Sequence, residues 1–133
     1  MTTGEARRAG PLPQRLNPGD IVLAYFPYSR HEPEPYKQRP VLVLSHVGLN
    51  EDEAIGLVMI TGNEQRFASL GAGDIRIDHW RECRLSKRSV IRTRRVWTAR
   101  YWDLAGTVGK LEPASLLDQV RSEVRNTLAL PTD

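Results

Sequence analysis

Four prolines fall between positions 27 and 40, and a short apolar run lies on either side of them. Each proline fixes φ, removes an amide donor and bars a helix from the stretch. Residues 21–26 before it are β-branched and aromatic, and residues 41–44 after it alternate valine with leucine. Neither run has the gaps of a helical period, so both read as strands of one hairpin. The connection must then lie at the surface, bringing Ser29, Arg30, His31, Glu32, Glu34, Lys37 and Arg39 together on one exposed loop. Most of the proton-transfer chemistry this chain can offer is concentrated there.

The rest of the pattern extends the same architecture. Residues 55–61, Ile-Gly-Leu-Val-Met-Ile-Thr, are apolar nearly throughout and predict a central strand that ends at a Thr-Gly-Asn turn. Residues 62–73 read as loop, with Phe67 and Leu70 as inward anchors. Residues 74–80 alternate, which sets Ile75, Ile77 and His79 on one face and Arg76, Asp78 and Trp80 on the other. His79 on that apolar face is read as a packed core or edge residue. Residues 89–98 supply one or two more strands, and their mixture of arginines and apolar residues on both faces predicts a bulge or break near Thr93. A last short strand or turn covers 106–111. Beyond it Leu116, Val120, Val124 and Leu128 recur every fourth residue with Leu117 beside them, one stripe of an amphipathic helix that opens at Pro113 and stops at Pro131.

The fold class expected is therefore mainly β with a C-terminal α-helix, a small barrel of five to seven short strands with the helix plugging an open side. A chain of 133 residues suits a single core. Residues 1–18, with Gly, Pro and polar residues and no periodicity, read as a flexible N-terminal arm, and residues 19–130 as the domain. The lone cysteine, Cys83, rules out an internal disulfide and a cysteine-based zinc cluster, and it fits a reducing compartment. No apolar run approaches the roughly 18 residues of a membrane span, and the N-terminus lacks a signal-peptide core. A cytoplasmic protein with no membrane partner is expected.

The net charge of +3 says little, but its distribution says more. Between positions 81 and 100 stand Arg81, Arg84, Lys87, Arg88, Arg92, Arg94, Arg95 and Arg100 against the single acid Glu82, which leaves the remainder of the chain net negative. Charge alone leaves two readings open: a stripe that binds nucleic acid or an acidic peptide, or a merely solvated arginine-rich face.

Five blocks in order carry a resemblance: Gly19-Asp-Ile-Val-Leu, Gln38-Arg-Pro-Val-Leu-Val-Leu-Ser, Val58-Met-Ile-Thr61, Leu85-Ser-Lys-Arg-Ser-Val-Ile-Arg92, and Gly109-Lys-Leu before the terminal helix. In this order and spacing the chain resembles the MazF/PemK family of toxin endoribonucleases over nearly all of its length after the arm. The resemblance implies a compact SH3-like barrel of the MazF/PemK/CcdB kind and a homodimer. It also implies cleavage of single-stranded RNA without metal or other cofactor, and neutralisation by a cognate antitoxin.

Cleaving RNA in this way requires a base for the ribose 2′-OH, an acid for the leaving 5′-oxygen and donors for the charged phosphorane. Arg39 precedes Pro40, which pushes it towards an extended conformation at a strand mouth, and its guanidinium suits a two-point grip on phosphate; it matches the family's arginine at the Arg-Pro motif. Thr61 closes a buried strand, where the family places Thr or Ser and where a hydroxyl can donate to a phosphoryl oxygen. Without the resemblance, Arg39 reads first as a strand-edge arginine in a surface ion pair and Thr61 as a good strand residue. Arg92 matches an arginine that joins the active site or RNA contact in some members. Those members carry an aspartate two positions later, whereas this chain has Arg94, a phosphate-binding charge in place of a carboxylate. His31, Glu32 and Glu34 are left as candidate proton acceptors. The expected set is thus Arg39, Thr61, His31 and Glu32 for catalysis, with Lys37, Arg88, Arg92 and Arg94 for RNA binding. Two other readings share the barrel: a topoisomerase poison of the CcdB type, and a non-catalytic module that binds nucleic acid or protein.

Overall fold

The computed structural model describes residues 10–25, 37–45, 47–48 and 54–129. His31, Glu32 and Glu34 lie outside the described residues. Within them run β1 (Arg15–Leu16), β2 (Asp20–Ala24), β3 (Arg39–Val43), β4 (Val47–Gly48), β5 (Ile55–Thr61), β6 (Asp74–Ile77), β7 (Ser89–Ala99) and β8 (Leu104–Lys110). Two helices, α1 (Glu64–Ala68) and α2 (Ser115–Leu128), complete them, with one 3-10 turn at Tyr101–Asp103. Six strands form one antiparallel sheet in the order β6-β7-β5-β3-β2-β8, and β1 pairs with β4 beside it. The expected mainly-β architecture with a terminal helix is what the chain adopts.

Apolar residues run almost unbroken through β2, β3 and β5 because the sheet is covered on both faces. Val22, Val41, Val43, Leu57 and Met59 enter one core, while Ile21, Leu42, Val58 and Ile60 enter the other with Ile75, Ile77 and Ile91. A strand buried on two sides has no solvent face to mark with polar residues, so alternation disappears. The second core lies under α2, whose Val120 is fully buried and whose Leu116, Leu117 and Val124 pack alongside. Each such aliphatic side chain contributes about 1.5–3 kcal/mol relative to leaving it in water. Leu128 at the end of the stripe is exposed.

Among the described residues no ladder joins the edge strands β6 and β8. After β6 the chain turns through 78–84 and brings Cys83 against β8, where a Cβ on Gly109 would collide with the Cys83 carbonyl oxygen. The Glu112 amide donates to Cys83 Sγ at 3.2 Å, and the Leu85 amide donates to the Trp80 carbonyl at 2.9 Å. Arg84 takes a left-handed φ of 66° to complete this turn.

Several expectations are corrected. The arm assigned to residues 1–18 is part of the folded body from Gly10 onward. Gly10 exchanges two backbone hydrogen bonds with Thr107, Leu12 packs on the first core, and Leu16 is fully buried there. Burying those two leucines holds a segment that has no period of its own. Residues 62–73 contain α1, capped by the Asn63 side chain, which accepts from the Arg66 amide. Leu70 is exposed, not an anchor. The strand expected over 74–80 ends at Ile77, so His79 lies in the following turn, exposed, with Nδ1 3.8 Å from Glu82. The helix begins at Ser115, not at Pro113, whose peptide bond with Glu112 is cis. It ends in a left-handed cap at Ala129, and Pro131 lies outside the described residues. The break expected near Thr93 is present: Met59 pairs with Arg92 but Val58 pairs with Val96, so residues 93–95 bulge out of the ladder.

Candidate active site

Strand register decides which side chains meet. Val41 pairs with Met59, Met59 with Arg92, and Arg92 with Asp74, which makes one row across β3, β5, β7 and β6. Continuing the β3–β5 register by two residues sets Arg39 opposite Thr61, at the start of one strand and the end of the other. Side chains alternate along a strand and direct cross-strand partners share a face, so Arg39, Thr61 and Arg92 all project on the side of Val41, Leu57 and Met59. That face is apolar in its middle and polar at this end. Arg39 and Thr61 are half-buried there.

Arg92 stands one row from Thr61 on the adjacent strand, a diagonal neighbour. Its Nε donates to Asp74 Oδ1 at 3.3 Å. Asp74 is nearly enclosed, its side chain 2% exposed against 23% for Arg92. The other carboxylate oxygen, Oδ2, accepts from the Gly71 amide at 2.8 Å and lies 3.8 Å from Arg66 Nη1. Asp74 was not among the residues expected at the site. Its only mark in the sequence is its place at the head of an alternating strand, and its partner stands across a strand pairing that spacing does not reveal.

Lys87, named in the sequence only as part of the basic stripe, lies beside this strand end. Its aliphatic stem lies over Gly62, the residue after Thr61, in space that a Cβ would occupy. Glycine at a strand end is the signal for such a close approach. The Thr61 hydroxyl oxygen accepts from the Asn63 amide at 3.2 Å, which fixes the turn beneath Lys87.

The remaining expected residues are more dispersed. Lys37 is exposed two positions before β3. Arg88 stacks on Phe67 of α1, its guanidinium carbon 4.5 Å from the ring centre, and Arg76 approaches the same ring at 5.2 Å while donating to the Phe67 carbonyl at 2.8 Å. Phe67 thus serves partly as a platform for cations, each such contact contributing roughly 0.5–1 kcal/mol at an exposed site. Arg94 projects from the bulge, its stem close to Gly73, and the buried Thr93 hydroxyl ties the bulge down by donating to the Gly73 carbonyl at 2.7 Å. A separate open groove beside β8, lined in part by Arg15, Arg81, Arg84 and Lys110, contains none of the expected site residues.

One hydroxyl and two guanidinium groups on one face at a strand end can grip a phosphodiester and stabilise added negative charge. It lacks, among the described residues, a cluster of three or more His, Cys, Asp or Glu side chains that could hold a metal ion.

Comparison with known proteins gives a consistent placement. The solved structure of the Mycobacterium tuberculosis toxin MazF-mt6 superposes with a TM-score of 0.60 at 20% identity, over 87% of this chain and all of that one. An endoribonuclease from a mycobacterial species gives 0.61 at 14% identity, over 97% of this chain and all of that one. An endoribonuclease solved in complex with its cognate antitoxin, also mycobacterial, gives 0.59 at 14%, over 87% of this chain and 97% of that one. These likenesses establish a shared fold. No curated protein sequence is similar enough to count as a match. The model of the family described as PemK-like, MazF-like toxin of type II toxin–antitoxin system matches residues 17–128, from just before β2 to the end of α2, and the chain therefore belongs to that family.

Proposed function

We propose that the chain is the toxin of its toxin–antitoxin pair by virtue of cutting single-stranded RNA in the cytoplasm, without a metal or other cofactor. The observation that supports this reading is the β3–β5 register, which continued by two residues sets Arg39 opposite Thr61, with Arg92 paired to Met59 on the adjacent strand. Arg39 grips the scissile phosphate through two of its N–H groups. The Thr61 hydroxyl donates to a non-bridging oxygen, and Arg92 meets the charge that grows on the phosphorane. One well-aimed donor of this kind is worth roughly 10²–10³ in rate. The ribose 2′-oxygen attacks the neighbouring phosphorus as its proton passes to a base, for which His31 and Glu32 are the candidates. The P–O5′ bond breaks and the 5′-oxygen takes up a proton, leaving a 2′,3′-cyclic phosphate and a free 5′-hydroxyl. Lys37, Lys87, Arg88 and Arg94 hold flanking phosphates.

The family membership supports a cognate antitoxin as the partner, as does the fold shared with an endoribonuclease solved with its own antitoxin. A symmetric homodimer is the working form, as is commonest among small assemblies; a monomeric mass at micromolar concentration argues against it.

The test is incubation of the purified chain with a long single-stranded RNA in EDTA, beside a gyrase assay. Cleavage at defined positions that leaves cyclic phosphate ends, lost in Arg39→Ala, supports the nuclease. Binding without cleavage assigns a non-catalytic module, and gyrase inhibition a topoisomerase poison.

A further inference from the structure

We infer that Asp74 is a positioning residue for the cleavage reaction, acting through Arg92; the inference rests on the nuclease reading given above. The two oxygens of this carboxylate do different things. Oδ2 is fixed by the fold, since it accepts from the Gly71 amide at 2.8 Å and faces Arg66 at 3.8 Å. Oδ1 receives Arg92 Nε at 3.3 Å. A carboxylate pinned by a turn on one side cannot follow a moving guanidinium on the other, so it is the arginine that is held.

The atom through which it is held matters. Binding at Nε occupies one of the five guanidinium donors and leaves the four on Nη1 and Nη2, which can still grip two oxygens of a phosphate. Met59 flanks Arg92 in the same row on the opposite side from Asp74, so the guanidinium stands between an apolar neighbour and a fixed carboxylate. Arg92 keeps 23% exposure while Asp74 keeps 2%. The cation is thus presented and its anchor withdrawn. Asp74 does not itself reach the reacting atoms: it sits in the row beyond Arg92, two strands from Thr61, with both oxygens already engaged. Three other arginines nearby are engaged differently: Arg66 faces Asp74 through Nη1 at 3.8 Å, and Arg76 and Arg88 lie on the Phe67 ring.

The experiment is a double-mutant cycle read by single-turnover cleavage of an RNA oligonucleotide bearing a mapped cleavage site. Asp74→Asn keeps the size of the side chain and an acceptor for the Gly71 amide, and removes the charge that orients Arg92. It is expected to slow the chemical step by about 10²-fold, the usual consequence of misplacing a catalytic group by about 1 Å, with substrate affinity changed little. In an Arg92→Ala background the same change should cost nothing further, because the group being oriented is gone. Arg66→Ala removes the other cation near Asp74 and should leave the rate within about twofold, a control that does not depend on the carboxylate variant folding. An undiminished rate in Asp74→Asn, an equal loss in the Arg92→Ala background, or a large loss in Arg66→Ala overturns the inference and assigns Asp74 to the turn alone, with the nuclease reading intact. If the unaltered chain fails to cleave any RNA, the nuclease reading falls and this inference falls with it.

Discussion

Lys87 lays its aliphatic stem across Gly62, the residue that follows Thr61, so closely that a methyl group there would displace it. The obstruction would fall on the far end of a flexible side chain and not on backbone, so Gly62→Ala moves the lysine and spares the fold. Stability should change by about 0.5 kcal/mol or less, as for most surface substitutions. Binding to single-stranded RNA should weaken as it does in Lys87→Ala. The log–log salt dependence should flatten by about 0.7 in both, the value of one phosphate contact on a single strand. The two changes combined should do no more than either alone. Titrations at several salt concentrations, with a 2′-deoxy substitution at the cleavage site to block turnover, provide the check.

Arg92 and Arg94 separate cleanly in the structure although they stand two residues apart. Arg92 lies in the ladder against Asp74, whereas Arg94 is exposed on the bulge. Arg94→Ala should therefore flatten the salt slope by about 0.7 and leave the rate of bound substrate unchanged. Arg92→Ala should lower that rate by about 10²–10³. An equal effect of both on rate would mean that the bulge folds over the substrate.

These two residues also mark how far the sequence could be read. The strands were legible because β2, β3 and β5 are filled with β-branched and leucine residues, and the bulge because Arg92, Thr93, Arg94 and Arg95 cannot satisfy a two-residue period. Arg39 and Thr61 stand at strand ends, where pattern and resemblance both draw the eye. Asp74 and Arg92 are 18 residues apart and meet only through the β6–β7 register, which spacing does not encode. The helix α1 was missed because five residues are too few to show a helical period, although Asn63 is a good cap. His79 was carried past the end of its strand because nothing at Asp78 breaks the alternation; the turn is set by the contact of Cys83 with β8. Leu12 and Leu16 sit in a Pro- and Gly-rich segment with no partner near in sequence, and their packing on the first core is a tertiary contact that no local pattern announces.

The packing of the 78–84 turn against β8 depends on one missing side chain. Gly109 lets the Cys83 carbonyl and the Arg84 Cβ approach β8, and here the obstruction would fall on backbone. Gly109→Ala must push the 78–84 turn away from the strand, at a cost of about 1–3 kcal/mol, typical of overpacking. A lower urea midpoint with an unchanged m-value would record it. A midpoint within error of the unaltered chain would mean that the turn is loose.

Cys83 lies at the same junction and couples it to pH. Burial pushes its thiol upward, against a smaller opposing effect of the hydrogen bond from Glu112. The unfolded thiol ionises near its ordinary value of about 8.5. Above that pH the unfolded chain has lost a proton that the folded chain retains, so the unfolded state binds fewer protons and stability falls as pH rises. The contribution is fully present below about pH 8.5 and declines by at most about 1.4 kcal/mol per pH unit until the folded thiol also ionises. Cys83→Ala should reduce stability at neutral pH by removing the acceptor of the Glu112 amide, yet flatten the alkaline limb. Urea unfolding at a series of pH values between 7 and 10 (~0.5 unit apart) compares the two slopes, and parallel curves would show that Cys83 does not contribute to the alkaline decline.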